Sequence, residues 1–229
     1  MIGGEGLKPV ENEGISVQSA MPRCRLVVGL GNPGAEYALT RHNAGWQVAD
    51  AFLAQASARK PSPWQPREGE LWEAAFPEEA EILVLKPLTF MNASGTAVAE
   101  VLRHFAYSPG EMLVVCDCLD LPVGRLRLRF GGSSGGQRGV QSIADELGTL
   151  AFPRLRLGIG RPEFAGADIV EYVLGQWTSA AEPIRRQAVE ASCRGLRILL
   201  GKGFAAAQEV CNSWRAEVGE DADAVQTKL

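Results

Sequence analysis

Short β-branched or leucine-rich runs alternate along this chain with stretches of helical apolar spacing, and that alternation most restricts what it can fold into. Runs at 25–30, 81–85, 112–116, 125–130 and 154–158 read as strands, and helical periodicity occupies about 45–57, 95–106, 140–147, 180–200 and 203–214. Strands that are apolar throughout need cover on both faces. The order therefore predicts an α/β fold: a single three-layer α/β/α domain with a mixed, mostly parallel sheet. The run Arg125-Leu126-Arg127-Leu128-Arg129-Phe130 differs, because its strict alternation predicts one packed face and one face carrying three arginines. Ser57 to Gly69 contains Pro61, Pro63 and Pro66 and reads as a loop, since three prolines oppose regular pairing.

Composition narrows the class. Forty-six per cent apolar and 22% charged residues are globular values, and a formal charge of −4 argues against indiscriminate binding of nucleic acid. A polyanionic partner would need a local basic surface. No apolar run approaches the roughly 18 residues of a membrane helix. The first 20 residues have neither the basic start nor the apolar centre of a signal peptide. These features predict a cytoplasmic protein without a membrane partner. The five cysteines, at 24, 116, 118, 193 and 211, are odd in number and unpatterned, which suits a reducing compartment. Cys116-Asp117-Cys118 lacks zinc-ligand spacing, and two isolated histidines complete no ligand set, so neither metal nor cofactor is expected. The expected organisation is a flexible leader over 1–22 (with Met21 an alternative start), one domain over 23–215, and an acidic disordered tail over 216–229.

Two motif matches fail on context. Gly29-Leu30-Gly31-Asn32-Pro33-Gly34 fits the dinucleotide pattern G-x-G-x-x-G after a strand. The acidic residue at the required distance, Asp50, lies inside a helical pattern and not at the end of a second strand. Gly132-Ser133-Ser134-Gly135-Gly136 fits G-x-S-x-G, yet no histidine follows residue 104, so the hydrolase order of serine, acid, histidine cannot be assembled. A triad of His42, Asp117 and Ser134 stays formally open. Five glycines at 131, 132, 135, 136 and 139 more simply make a loop where backbone approaches something closely.

Histidine is the side chain that exchanges protons near neutral pH. His104 lies off the apolar stripe of its helix, four residues after Glu100, which predicts a solvated i,i+4 pair. His42 is the better base. It follows the first strand together with Asn32; Met91-Asn92 precedes a helix, Cys116-Asp117 ends another strand, and the glycine loop follows the arginine strand. All four segments read as carboxyl ends of strands, where open α/β sheets bind ligands. Asp117 would accept from one imidazole nitrogen of His42 while the other takes a proton from water attacking a carbonyl. Asn32 and Asn92 offer amide donors for water or for the carbonyl oxygen. Each also has a plainer reading: turn chemistry for Asn32, a helix cap for Asn92, a loop cap for Asp117.

From Pro122 to Arg161, seven arginines face two carboxylates, Asp145 and Glu146, a surplus of five positive charges in a chain of net charge −4. Guanidinium forks beside a glycine loop suit phosphate, and Tyr37 near His42 suits stacking on an unpaired base.

Together these segments resemble bacterial peptidyl-tRNA hydrolase. They are Val28 to Gly34 with Tyr37 and Thr40 to Gly45, Lys86-Pro87 with Phe90-Met91-Asn92 and Ser94-Gly95, Asp117 with Leu119 to Pro122, the paired glycines 131–132 and 135–136, and Phe152 to Pro162. The likeness runs from about Cys24 to Trp214. It implies a monomeric α/β/α enzyme that cleaves the ester between a peptide and the 3′ ribose of tRNA, recognising the acceptor stem and 3′ end. By that resemblance His42 is the base and Asp117 its partner. Asn32, Met91 and Asn92 surround the ester, Tyr37 lies near the tRNA end, and Arg129 with Arg156 clamps the tRNA 5′ phosphate. The chain departs from the family in Gln137-Arg138, which replace a usual His-Asn. The resemblance leaves Arg138 either a phosphate contact or a weakened site. The departure motivates one alternative to test against the enzyme, a catalytically weak or inactive RNA-binding relative; the G-x-S-x-G match supplies another, a serine esterase using Ser134.

Overall fold

The computed structural model describes residues 21–77, 81–162, 164 and 166–217. Residues 1–20 of the expected leader and 218–229 of the expected tail lie outside it. Four neighbouring parallel strands form its centre: β1 (Leu26–Gly29), β4 (Ile82–Pro87), β5 (Met112–Cys118) and β7 (Pro153–Gly158). All seven residues of β5 are buried, as a strand with two covered faces requires. Three further strands run antiparallel to their neighbours at the flanks. These are β2 (Ala58–Pro61), β3 (Gly69–Ala75) and β6 (Leu126–Phe130), giving the order β2-β3-β4-β1-β5-β7-β6.

Side chains alternate between two cores. Val27, Val84, Leu113, Val115, Leu155 and Leu157 face α1 (Ala44–Ala54), α5 (Glu182–Lys202) and α6 (Phe204–Ser213). Leu26, Val28, Leu85, Val114 and Cys116 face α2 (Ser94–Phe105) and α3 (Arg138–Leu147). The result is the three-layer α/β domain with a mixed sheet that the alternation predicts. Burying these side chains supplies the main driving force, about 1.5–3 kcal/mol for each fully enclosed Leu, Val or Phe.

The prolines mislead at one point. Ser57 to Gly69 is not wholly loop, because β2 occupies 58–61 and pairs with β3. Pro61 is tolerated as the last residue of an edge strand, where a missing N–H costs least. The expected Glu100–His104 pair does not form either. Glu100 accepts from the Arg67 backbone N–H at 3.1 Å, and the His104 ring stacks on Trp64 with centroids 3.9 Å apart.

β6 runs antiparallel to β7, pairing Phe130 with Pro153 and Leu126 with Leu157. Its carboxyl end therefore points away from the carboxyl ends of the central strands, contrary to the expectation for the glycine loop. Residues 131–137 must climb back along the sheet to reach that edge. Gly131, Gly132, Gly135 and Gly136 adopt positive φ, the region where only glycine is unstrained, and this lets the loop fold against the face. Arg154 and Arg156 hold it there. The Arg154 guanidinium, fully buried, donates to the Gly132 and Ser133 carbonyls, and Arg156 donates to Ser133 O at 2.9 Å. Burial, then the charge of Arg156, lowers the Arg154 pKa.

Candidate active site

The carboxyl ends of β4, β1 and β5 lie side by side, and three of the four expected segments meet there. Beyond β1 the chain turns through Asn32 and reaches His42 in a short 3-10 turn, Arg41–Asn43, directly before α1. Asn43 fixes this loop. Its Oδ1 accepts from Asn32 N at 2.9 Å and its Nδ2 donates to Asn32 O at 2.9 Å. The absence of a side chain at Gly45 lets α1 start against the sheet, because a Cβ there would overlap the Val115 carbonyl and the Leu30 backbone. That close approach sets His42 beside β5.

Nδ1 of His42 lies 3.0 Å from Oδ1 of Asp117, and the two side chains are 11% and 3% exposed. An ionised carboxylate only accepts, so Nδ1 carries the proton and the Nε2 lone pair is left for chemistry. Asp117 is thus a partner of the imidazole and not a loop cap. Asn32 is more than turn chemistry: its Oδ1 accepts from Met91 N at 2.8 Å, tying β1 to the segment after β4. That bond commits the amide orientation, and Nδ2 has no protein partner among the described residues. Asn92 caps nothing; it is exposed at the rim, within the 3-10 turn Met91–Ala93 that leads into α2.

His42 lines two adjoining cavities of about 210 and 220 Å³. One holds Asn32, Tyr37, Met91 and Asn92; the other holds Asp117, the loop residues Ser134 to Gln137, and Arg156; Arg138 borders both. Ser134 makes no hydrogen bond to His42 among the described residues, which leaves the serine triad unformed. Burial, then the Asp117 charge, pushes the Cys116 thiol up, so it stays protonated and inert.

Sequence reasoning missed two parts of this site. One is α4 (Ile169–Leu174), whose Val170 and Val173 wall both cavities. It is too short for a periodicity signal, but Asp168 three residues before Glu171 was a readable start. The Asp168 side chain accepts from Val170 N at 2.8 Å. Arg41 ties α4 to the histidine turn, with N donating to Gly175 O at 3.1 Å and Nη1 to Tyr172 O at 3.1 Å. The other is Gln137, the N-cap of α3, buried against Asp117 and Met91.

The arginines separate into different tasks. Arg125 donates to the Asn212 and Trp214 carbonyls at the end of α6, and Arg161 pairs with Asp120 at 2.6 Å. Arg127 lies opposite Arg156, and Arg129 opposite Arg154, on one face of the β6–β7 ladder. Arg129 and Arg156 are therefore diagonal neighbours. Like charges placed directly across a ladder repel, so this patch favours an anion.

A family model described as peptidyl-tRNA hydrolase matches residues 26–219. A peptidyl-tRNA hydrolase of Aquifex aeolicus is 43% identical over 82% of this chain and 96% of that protein. One from Symbiobacterium thermophilum is 47% identical over 72% and 90%. The crystal structure of peptidyl-tRNA hydrolase from Acinetobacter baumannii superposes with a TM-score of 0.77 at 30% identity, covering 86% of this chain and 98% of that one.

Proposed function

This chain belongs to the peptidyl-tRNA hydrolase family, and we propose that it hydrolyses the ester joining a peptide to tRNA with water activated by His42. The observation that carries the reading is the buried 3.0 Å contact between His42 Nδ1 and Asp117 Oδ1 at the wall of a crevice lined with amide donors. Nε2 of His42 removes a proton from water as its oxygen attacks the ester carbonyl carbon. The carbonyl π pair moves to oxygen, which in this reading accepts from the Asn32 and Asn92 amides. Collapse of the tetrahedral intermediate breaks the bond to the ribose 3′ oxygen, which takes the proton back from the imidazolium. The products are a peptide acid and tRNA with a free 3′ hydroxyl. Asp117 holds the imidazole in its productive tautomer and offsets its positive charge.

Met91 packs beneath the ester, and Tyr37 at the crevice mouth offers a ring for the terminal base. Arg129 and Arg156 supply the cationic shelf for the tRNA 5′ phosphate, while Arg138 at the start of α3 takes a phosphate nearer the ester. In this reading the protein acts as a cytoplasmic monomer on the acceptor stem and 3′ end, over one domain spanning 23–215. Among the described residues no helix is long and apolar enough to cross a membrane.

The test is peptide release from a defined, labelled peptidyl-tRNA by the purified chain, beside Arg138→Asn. Turnover supports the enzyme, whereas tight binding without release identifies an RNA-binding relative. If Arg138 holds a phosphate, Arg138→Asn raises KM and leaves kcat near that of the parent.

A further inference from the structure

Gln137 makes contacts that a helix cap alone does not need. It is buried, 8% exposed, at the joint between the glycine loop and α3. Its Oε1 accepts from Val140 N at 2.7 Å. Its Nε2 lies 3.1 Å from Asp117 Oδ1 and 3.2 Å from Met91 Sδ. The amide has only one workable orientation, because a backbone N–H needs an acceptor and a carboxylate needs a donor. The Asp117 oxygen facing His42 thus receives two donors, the imidazole Nδ1–H and the Gln137 amide.

Capping preferences point the same way. Ser, Thr, Asp and Asn are the favoured N-caps, and a longer glutamine costs more side-chain entropy to fix. The extra length is what spans from Val140 N to the carboxylate. Gly139 leaves room for it: a Cβ there would come within 3.1 Å of Gln137 Oε1 and 2.6 Å of Met91 Sδ.

We propose that Gln137 is a positioning residue for the reaction, locking the Asp117 carboxylate so that one oxygen faces His42 and keeps the proton on Nδ1. The inference rests on the reading of His42 as base. A neutral amide suits the task because it satisfies the carboxylate without adding a cation. The whole negative charge then remains available to the imidazolium, and anchoring on the first turn of α3 fixes the acid against the layer that carries the glycine loop.

The test uses the full chain and three variants. Gln137→Ser keeps a favoured cap but cannot reach Asp117, Gln137→His restores a ring N–H donor, and His42→Ala checks the underlying base. Gln137→Ser is expected to unfold at nearly the parental temperature with KM within twofold. Its single-turnover rate should fall by about ten- to a hundredfold, the worth of one hydrogen bond to a charged acceptor. Gln137→His should recover most of that loss. With only two histidines in the chain, imidazole ¹⁵N spectra read the tautomer directly. The parent should hold the His42 proton on Nδ1, and Gln137→Ser should show exchange between tautomers. A parental rate in Gln137→Ser, a change confined to KM, or a loss that follows unfolding and is not restored by histidine would each overturn the proposal. Retained turnover in His42→Ala instead sinks the base assignment itself, whatever the residue at 137.

Discussion

Replacing Asp117 by asparagine removes a charge and very little else. The Oδ1 of an asparagine can still accept from His42 Nδ1 and from Gln137 Nε2, so both hydrogen bonds, at 3.0 and 3.1 Å, are retained. What disappears is the attraction between the carboxylate and the imidazolium that forms as water gives up its proton. At 3.0 Å, with an effective dielectric constant near 20, full charges attract by roughly 5.5 kcal/mol. With the proton about half transferred in the transition state, the loss is about 3 kcal/mol, roughly a hundredfold in rate. Full transfer sets the ceiling at about ten-thousandfold. The assay is single-turnover release of labelled peptide from saturating enzyme, with tRNA affinity measured separately. Asp117→Asn should bind tRNA like the parent and react at about one hundredth of its rate. A rate within threefold of the parent would refute the electrostatic role of Asp117, however well the hydrogen bonds survive.

Other perturbations probe the surrounding structure. Arg129→Gln should weaken tRNA binding and flatten the slope of log affinity against log salt by roughly 0.7–0.9 for each phosphate no longer neutralised; an unchanged slope removes Arg129 from the shelf. Gly139→Ala should lower Tm by up to about 8 °C, since an overpacking cost of up to about 3 kcal/mol at Met91 and Leu30 outweighs the gain of about 1 kcal/mol in helix propensity. A rise in Tm would show that the two side chains simply move aside. Glu182 is held down to about 2 from an ordinary 4.5, chiefly by the Arg185 hydrogen bond and further by Arg186. A depressed carboxylate stabilises the fold above its unfolded value, and the contribution fades as pH falls from 4.5 toward 2. The urea midpoints of parent and Glu182→Gln should therefore differ at neutral pH and converge across that window.

The parallel centre of the sheet was legible because β1, most of β4 and most of β5 carry apolar residues on both faces, a pattern no surface element shows. β3 was not, since Gly69-Glu70-Leu71-Trp72-Glu73 mixes charge and bulk, and its fit depends on the neighbouring β4. The direction of β6 was also hidden. Alternation reveals which face packs but not which way a strand runs, so the return path of the glycine loop had to come from pairing. His42 and Asp117 stood out through residue chemistry and family motifs, although 75 positions separate them. Gln137 stood out only as a departure from the family's usual His, and its contact with Asp117 arises only when the loop brings it over that carboxylate. His104 was misjudged for a related reason: its Trp64 partner comes from a distant loop that helical spacing cannot foresee.

The most direct test of the account is peptide release by His42→Ala at enzyme concentrations that saturate the labelled substrate. His42→Ala should bind tRNA like the parent, with release slowed by about a hundredfold or more, the usual worth of a positioned general base. Release at the parental rate from that variant would contradict that role.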